Sequence, residues 1–192
     1  MTDARIRGRV WKFGDNISAD DGIIQYSKVP DLATFDIPAL KAMCFAELQP
    51  DFRQRAKPGD LVVAGANFGH HSHAHACVAM KECGIAAVVV ESCDSVFIRK
   101  ALNVGLPIVV CPGVTRIVDQ GEVLEVDLAT GEVRHTDTGA RLRARPFSDR
   151  MIEVWRAGSL TAAMRQRLAG PSAAQAPAHD PSIDRSRTVH EL

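Results

Sequence analysis

Apolar runs and helix-period segments alternate along the middle of the chain. Three short, continuous apolar runs rich in β-branched residues are typical of strands that are covered on both faces. They lie at 61–64, 85–91 and 108–111. Helical spacing separates them at 77–84, where Gly84 is placed to end the helix, and at 96–103. Strand, helix, strand, helix and strand with short links predict a parallel or mixed sheet built from βαβ units.

The polar and apolar pattern changes after residue 115. Residues 118–127 alternate with period two, and 130–133 resembles a hairpin turn, which predicts antiparallel strands with one wet face. An N-terminal strand is predicted at 7–13. Further helices are predicted at 37–48, from Ser148 or Asp149 onward, and at 160–168. The predicted fold is therefore α/β, with a mixed sheet, flanking helices and a small antiparallel portion.

The last part of the chain has a different composition. From Gly170 the sequence is poor in large apolar residues and rich in proline, serine and alanine. Such a segment cannot bury enough surface to offset the entropy lost on ordering. We therefore predict one domain over residues 1–168 and a flexible tail, or an arm on a partner, over 169–192.

Composition and charge exclude several classes of function. The 23 basic and 23 acidic residues balance and aromatic residues make up 5%, which argues against a nucleic-acid surface. No apolar run reaches about 18 residues and the N-terminus has no apolar segment, which predicts no membrane span and no secretory signal. Five cysteines without a CxxC pair are typical of reduced thiols. The predicted protein is soluble and cytoplasmic.

The most distinctive stretch is the loop between the strand at 61–64 and the next helix. We call residues 65–75 the histidine loop. It contains Gly65, Asn67 and Gly69, which are residue types typical of tight loops, and four of the seven histidines of the chain, around one serine, Ser72. Its chemistry-bearing residues are Asn67, Gly69, His70, His71, Ser72, His73 and His75. A loop between a strand and a helix start predicts an anion site, because unpaired N–H groups point out of the helix N-terminus.

The histidines of this loop have three possible roles. They can contact a substrate as neutral donors or acceptors, because a helix N-terminus depresses the pKa of an imidazole. Secondly, His71, His73 and His75 can bind a metal, although no carboxylate or cysteine lies at a standard offset and no zinc motif matches. Thirdly, they can form a polar surface loop of little importance. Ser72 has its own alternative, which is to cap the following helix.

Several segments agree in order and spacing with one known family. They read GRVWKFGDNISADDGII, KPGDLVVAGANFG, AVVVESCDSVFIRKALNVGLPIVVC, GEVLEVDLATGEV and AGSL. Over residues 7–168 the chain resembles the small subunit of 3-isopropylmalate dehydratase and, more broadly, the swivelling β/β/α domain of the aconitase superfamily. The resemblance implies a hydro-lyase subunit that closes over a large subunit carrying a [4Fe–4S] cluster. The iron of that cluster would act as Lewis acid on the leaving hydroxyl group, and the cysteines of this chain lack a cluster-type spacing.

The resemblance also assigns candidate roles. Ser72 falls on the serine that serves as catalytic base in the superfamily, and the flanking His71 or His73 can instead be the general base. The remaining candidates for substrate binding are Asn67, Gly69, His70, His75, Asp20, Lys28 and Arg99. No residue is predicted to bind a metal. Asp20 is the one acid kept from the family's DTD, and Lys28 lies in the loop that tunes substrate choice in the superfamily.

The departures from the family pattern concern the substrate. Family members usually read NFGCGSSREHA where this chain reads NFGHHSHAHAC. Ala74 replaces the arginine that normally grips a substrate carboxylate, which an alanine cannot do. The predicted function is therefore reversible dehydration of a hydroxy-acid other than isopropylmalate, together with an aconitase-like large subunit. The alternative is a non-catalytic paralogue that binds a ligand or metal through the histidine loop.

Overall fold

The computed structural model describes residues 4–169. Seven strands form one mixed sheet in the order β4-β3-β2-β1-β5-β6-β7. The strands are β1 (Arg5–Lys12), β2 (Leu61–Ala64), β3 (Ala87–Val90), β4 (Ile108–Val110), β5 (Val123–Asp127), β6 (Glu132–His135) and β7 (Arg141–Arg143). Strands β1 to β4 pair in parallel, whereas β1 pairs with β5, and β5, β6 and β7 with one another, in antiparallel fashion. The predicted mixed α/β sheet with an antiparallel portion is confirmed.

Six α-helices flank the sheet in the described chain. They are α1 (Ile37–Met43), α2 (Phe52–Arg55), α3 (Ala74–Glu82), α4 (Ser95–Asn103), α5 (Asp149–Ala157) and α6 (Leu160–Leu168). Gly84 (φ +90°) follows α3 and Gly158 (φ +81°) ends α5, because both chain reversals need the left-handed conformation that glycine adopts freely. Ser148 caps α5 through its side chain, as predicted. None of these helices is long and apolar enough to cross a membrane.

Parallel strands β2 and β3 are fully buried because each of their faces packs into a separate core. Val62 and Val88 contribute to a core shared with α1, α3 and α4, whereas Val63 and Val89 point into a second core with the antiparallel strands and Ile152 of α5. Their continuous apolar sequences are therefore explained by two-sided burial. Helix α3 is also buried over residues 75–80.

Two features of the fold differ from the predictions. The helix expected over 37–48 ends at Met43, because the buried Phe45 takes a left-handed backbone (φ +51°) and donates its N–H to the carbonyl of Ile23 at 2.7 Å. Strand β7 was not predicted, since its three residues offer only one apolar position, Leu142. The tail predicted over 169–192 lies outside the described residues from 170 onward.

Lys81 joins three helices at one point. Its Nζ donates to the carbonyl of Val104 at 2.6 Å and to that of Gly158, so the last turn of α3 holds the C-terminal ends of α4 and α5.

We expect Lys81→Met, which keeps the aliphatic stem and removes the ammonium group, to lower the free energy of unfolding by about 2 kcal/mol. Urea denaturation measures the loss. The exposed Lys41 is the matched control, and equal midpoints for Lys81→Met and Lys41→Met would contradict the role of the ammonium group.

Candidate active site

Three loops meet at the carboxyl edge of the parallel strands. The segment after β1 runs beside the histidine loop, which follows β2: the N–H of Gly69 donates to the carbonyl of Ile17 at 2.8 Å, and that of Ala19 donates to the carbonyl of His70 at 2.9 Å. Phe68 forms an isolated parallel bridge with Cys93, in the segment after β3. Crevices at the carboxyl ends of such strands are the common place for ligands in α/β sheets. The topology therefore places the histidine loop in the centre of a candidate site.

Asn67 and Gly69 shape the start of the loop. Asn67 has a left-handed backbone (φ +59°), and its Nδ2 donates to Oδ1 of Asn16 at 3.0 Å. Gly69 (φ +75°) is buried, and a Cβ at this position would overlap the ring of Phe97. These two residues are therefore needed for the path of the backbone. Their predicted contacts with substrate stay a prediction.

His70 and His71 follow on the more exposed side of the loop. Nδ1 of His70 lies 3.1 Å from the carbonyl oxygen of Asn67, and the ring of His70 meets that of His71 edge-on with 4.9 Å between the centroids. His71 is exposed and has a left-handed backbone (φ +53°), which is uncommon for a residue other than glycine or asparagine. The loop thus turns at His71 immediately before Ser72.

Ser72 lies just outside the helix and does not cap it. Helix α3 begins at Ala74 with His73 in the cap position, and no side chain accepts a hydrogen bond from its first turn. The alternative of Ser72 as a helix cap is therefore wrong. The first N–H groups of α3 remain available to an anion, which the helix N-terminus favours electrostatically.

His73 and Asp20 come together although they are far apart in sequence. Nε2 of His73 lies 3.1 Å from Oδ1 of Asp20, a buried oxygen that has no hydrogen bond of good geometry in the described chain. Asp20 is held in a short π-helical turn (Ala19–Ile23) whose N-cap, Ser18, accepts a hydrogen bond from the N–H of Asp20 at 3.1 Å. The ring of His73 also stacks on Tyr26, with 3.6 Å between the centroids.

The surroundings of His73 favour its neutral form. Burial lowers the pKa of His73, the nearby ammonium of Lys100 lowers it further, and the opposing attraction of Asp20 does not compensate. The imidazole therefore has a pKa below its usual value of about 6.5. At neutral pH it carries no charge and is able to accept a proton.

His75 is buried and holds a neighbouring loop. It is 7% exposed, and its Nε2 lies 3.3 Å from the carbonyl oxygen of Thr34. Its ring makes edge-on contacts with Phe35 and Tyr26, with centroids 4.8 and 5.6 Å apart. The loop between Val29 and α1 is thus attached to the start of α3 through one imidazole.

We expect His75→Ala to release this loop. The substitution removes both the hydrogen bond to Thr34 and the ring contacts, so amide hydrogen exchange over residues 30–36 should rise at least about 10-fold while exchange in β2 and β3 stays unchanged. His75→Gln, which keeps a donor near the Thr34 carbonyl, should give a smaller rise. Glu82→Ala, an exposed position on the same helix, is the control. Equal exchange in the His75→Ala and Glu82→Ala variants would contradict an anchoring role.

Neither of the two cations predicted for the site is buried. Lys28 is exposed in a short 3₁₀ turn (Tyr26–Lys28), next to the tyrosine that stacks on His73, and Arg99 is exposed on α4. Sequence reasoning missed Lys100, whose Nζ donates to the carbonyl oxygen of Ser72 at 2.6 Å. It also missed Tyr26, the only tyrosine of the chain. The position of Tyr26 two residues before Lys28 was the one signal available for it.

The histidines and cysteines do not converge on a metal site. Within residues 4–169, no group of three or more histidine, cysteine, aspartate or glutamate side chains is placed to hold a metal ion. His73 faces Asp20 whereas His75 faces Thr34. Burial raises the pKa of the Cys93 thiol to about 12 and that of Cys111 to about 11, which favours protonated thiols over thiolate ligands.

Comparison with known proteins decides the family. The family model for the aconitase C-terminal domain matches residues 3–112, more than half of the chain. The chain belongs to this family. The isopropylmalate/citramalate isomerase small subunit of Methanocaldococcus jannaschii is 39% identical over 169 residues, which cover 85% of this chain and 96% of the relative. The 3-isopropylmalate dehydratase small subunit 1 of Methanopyrus kandleri is 41% identical, over 88% of this chain and 96% of the relative.

Relatives in the family differ in the activity that their names give. The homoaconitase small subunit of Methanothermobacter thermautotrophicus is 35% identical over 81% of this chain and 88% of its own length. The crystal structure of 3-isopropylmalate dehydratase from Methanocaldococcus jannaschii superposes with a TM-score of 0.73 at 31% identity, covering 85% of this chain and 95% of that one. The predicted aconitase-type fold and the predicted resemblance to dehydratase small subunits are confirmed.

Proposed function

We propose that this chain is the small, swivelling subunit of a hydro-lyase. It acts with an aconitase-like large subunit on a small hydroxy-acid, which it dehydrates and rehydrates reversibly. The observation that carries the proposal is the contact of His73, the neighbour of Ser72 in the chain, with Asp20 at the carboxyl edge of the sheet, in a chain of the aconitase C-terminal domain family. The names of the relatives, which are isomerase, dehydratase and homoaconitase small subunits, support it.

The proton transfer is proposed to take place at the start of α3. A serine hydroxyl is a weak base, but the uncapped first turn of the helix and the ammonium of Lys100 favour the ionised form of Ser72. His73 is the second candidate, because its lowered pKa keeps it neutral and Asp20 is placed to orient its ring. His71 is the third candidate, since it is exposed at the turn of the loop.

The proposed substrate differs from isopropylmalate. Ala74, the first residue of α3, presents a methyl group at the place where the family arginine is expected, and it offers no donor to a carboxylate. The histidine rings on either side are oriented by Asp20 and Thr34. A site with these groups selects a different shape or charge distribution from one with a bidentate guanidinium group.

In this proposal the [4Fe–4S] cluster belongs to the large subunit, where it supplies a Lewis acid for the leaving hydroxyl group. The cysteines of the small subunit do not fit a cluster. Cys44, Cys77 and Cys111 are buried, and burial raises the pKa of each of their thiols. Only Cys83 has a lowered pKa, mainly through a hydrogen bond with Cys44. An iron–sulfur cluster is held by several cysteine thiolates, so one thiol with a lowered pKa is too few to hold it.

The test is anaerobic co-purification with a candidate large subunit, followed by hydration assays over a panel of unsaturated mono- and dicarboxylic acids. The expected result is a cluster-loaded complex that hydrates one member of the panel, while the small subunit alone hydrates none. A chain that forms no complex and binds a ligand or metal ion in stoichiometric amounts without turnover would overturn the proposal in favour of the binding-module alternative. Hydration of 2-isopropylmaleate, the dehydration product of isopropylmalate, at the highest kcat/KM of the panel would overturn the substrate assignment alone.

A further inference from the structure

Cys44 and Cys83 bring two thiols together at the end of α3 opposite to the histidine loop. Cys44 directly follows α1, Cys83 directly follows α3, and their thiols hydrogen-bond each other. The nine residues of α3 span about 13 Å, so this pair lies one helix length from the candidate base. A disulfide requires two cysteines whose side chains lie close together and face each other, and a hydrogen bond between the thiols meets that requirement.

The two thiols differ in their access to solvent. Cys44 is completely buried among the apolar residues of the core that it shares with α3. Cys83 is half-buried and lines an open cavity of about 200 Å³, whose border also holds Lys41 and Arg53. Its Sγ lies 3.9 Å from the carbonyl oxygen of Lys41. A small reagent in solution therefore reaches Cys83 but not Cys44.

The polar groups around the pair favour a thiolate at Cys83. The hydrogen bond from Cys44 lowers the pKa of Cys83 and outweighs the opposing effect of burial. The cations Lys41 and Arg53 lower this pKa further, against a weaker effect of Glu82. Burial raises the pKa of Cys44, so this cysteine keeps its proton and donates the hydrogen bond. Because the thiolate is the form of cysteine that reacts, the accessible thiol is also the nucleophilic one.

We propose that Cys83 and Cys44 are a redox-active dithiol, which a hydroperoxide converts into an intramolecular disulfide. With hydrogen peroxide, the Cys83 thiolate attacks one peroxide oxygen and the O–O bond breaks. Cys83 becomes a sulfenic acid, while the departing hydroxide takes up a proton to give water. The sulfur of Cys44 then attacks the Cys83 sulfur, the S–O bond breaks, and the hydroxyl group leaves as water with the proton of Cys44. The two thiols lose two electrons, and one peroxide is reduced to two waters.

The disulfide joins the ends of α1 and α3 and closes the chain from residue 44 to residue 83, a stretch that contains β2 and the histidine loop. The other cysteines lack this combination of access and activation. Cys77 and Cys111 are buried, and burial raises the pKa of Cys93 to about 12. The dithiol lies outside the candidate active site, so its oxidation does not depend on the proposed hydro-lyase reaction.

Peptide mapping of the full-length chain tests the disulfide directly. The reduced chain is treated with hydrogen peroxide, the remaining thiols are blocked with N-ethylmaleimide, and the chain is digested without reductant for mass spectrometry. Trypsin together with a glutamate-specific protease cuts after Glu91 and so separates Cys83 from Cys93. We expect two peptides linked through Cys44 and Cys83, which dithiothreitol releases. A chain without this linked pair, whether its thiols stay reduced, link two chains or oxidise elsewhere, would overturn the proposal.

Variants of Cys44 separate its two roles, which are to activate Cys83 and to form the disulfide with it. Cys44→Ser keeps a donor but has no sulfur, so Cys83 should react with iodoacetamide within about 3-fold of the wild-type rate. With peroxide, this variant should accumulate a Cys83 sulfenic acid that dimedone traps. Cys44→Ala removes the donor and should slow alkylation of Cys83 at neutral pH at least about 5-fold.

Cys93→Ser is the matched control, because it removes the other half-buried thiol. It should give the peptides linked through Cys44 and Cys83 in the same yield as the wild type. An unchanged rate of Cys83 alkylation in Cys44→Ala would contradict the activation of Cys83 by its neighbour. Thermal unfolding of each variant shows that the fold is intact.

Discussion

Replacing Ser72 by alanine is expected to lower the turnover number of the reconstituted complex at least about 100-fold, with KM changed less than about threefold. The base acts in the transition state, so its loss affects kcat more than substrate binding. The substitution leaves the contact with Lys100 in place, because Lys100 donates to the backbone carbonyl of residue 72 and not to its side chain. Helix α3 is also unaffected, since Ser72 does not cap it. Steady-state kinetics with the unsaturated acid that the complex hydrates give both kcat and KM.

His73→Gln is the comparison that assigns the base. If Ser72 is the base, His73→Gln should retain turnover within about 10-fold. Turnover that survives in Ser72→Ala but falls about 100-fold in His73→Gln would assign the proton transfer to the imidazole. The pH profile of kcat would then fall on its acid side with an apparent pKa below 6.5, because burial and Lys100 lower the pKa of His73. Ser95→Ala, at an exposed position on α4, controls for loss of a hydroxyl group elsewhere.

Asp60→Ala is expected to cause the largest loss of stability, about 3 kcal/mol in the free energy of unfolding. Asp60 is 5% exposed and precedes β2, where its carboxylate accepts hydrogen bonds from Trp11 Nε1 at 2.8 Å, Arg9 Nη2 at 2.7 Å and the N–H of Lys57 at 3.0 Å. Removing the carboxylate leaves these donors without a partner at the junction of β1 and β2. Urea denaturation at pH 7 measures the difference.

The control for Asp60 is an ion pair on the surface. Asp51 directly precedes α2 and Arg55 ends it, and Oδ2 of Asp51 lies 2.5 Å from Nη1 of Arg55. Both side chains are exposed, so Asp51→Ala should cost less than about 1 kcal/mol. A loss in Asp60→Ala no greater than in Asp51→Ala would show that the buried network contributes little.

The same carboxylate makes stability depend on acid. Burial alone raises the pKa of Asp60, but the hydrogen bonds from Arg9, Lys57 and Trp11 outweigh that effect and leave the pKa below its usual value. A group with a lowered folded-state pKa stabilises the protein above its unfolded pKa of about 4, and the contribution is lost as the pH falls through the folded value. We therefore expect wild-type stability to fall more steeply below about pH 4 than that of Asp60→Asn.

The parallel half of the sheet was predictable because its sequence is locally consistent. Strands β2, β3 and β4 are continuous apolar runs, and such runs occur where both faces are buried. The end of α1 was not predictable, since it depends on a hydrogen bond from Phe45 to Ile23 and on stacking of Phe45 against Phe13, with 4.2 Å between the centroids. Contacts between distant segments override local helical spacing.

The position of the candidate site was predictable, but the pairs of side chains that contact each other in it were not. The glycine-containing loop between a strand and a helix start indicated where chemistry-bearing residues would gather. Asp20 meets His73 only because the segments after β1 and β2 run side by side. The rotation of α4 about its axis decides whether Arg99 or Lys100 faces the histidine loop. The sequence alone does not reveal this rotation for two adjacent residues. The local sequence therefore indicates where the site lies, whereas tertiary packing determines which side chains contact each other in it.

The position of β1 in the sheet has a consequence for synthesis on the ribosome. Among the seven strands of this sheet β1 is synthesised first, and it lies in the interior of the sheet, between β2 and β5. Its parallel edge finds a partner once residue 64 has been added, but its antiparallel edge must wait until residue 127. Domains fold largely as units during translation, and unpaired strand edges promote aggregation. The nascent chain therefore carries one open edge on β1 until residues 123–127 have been added and β5 pairs with it.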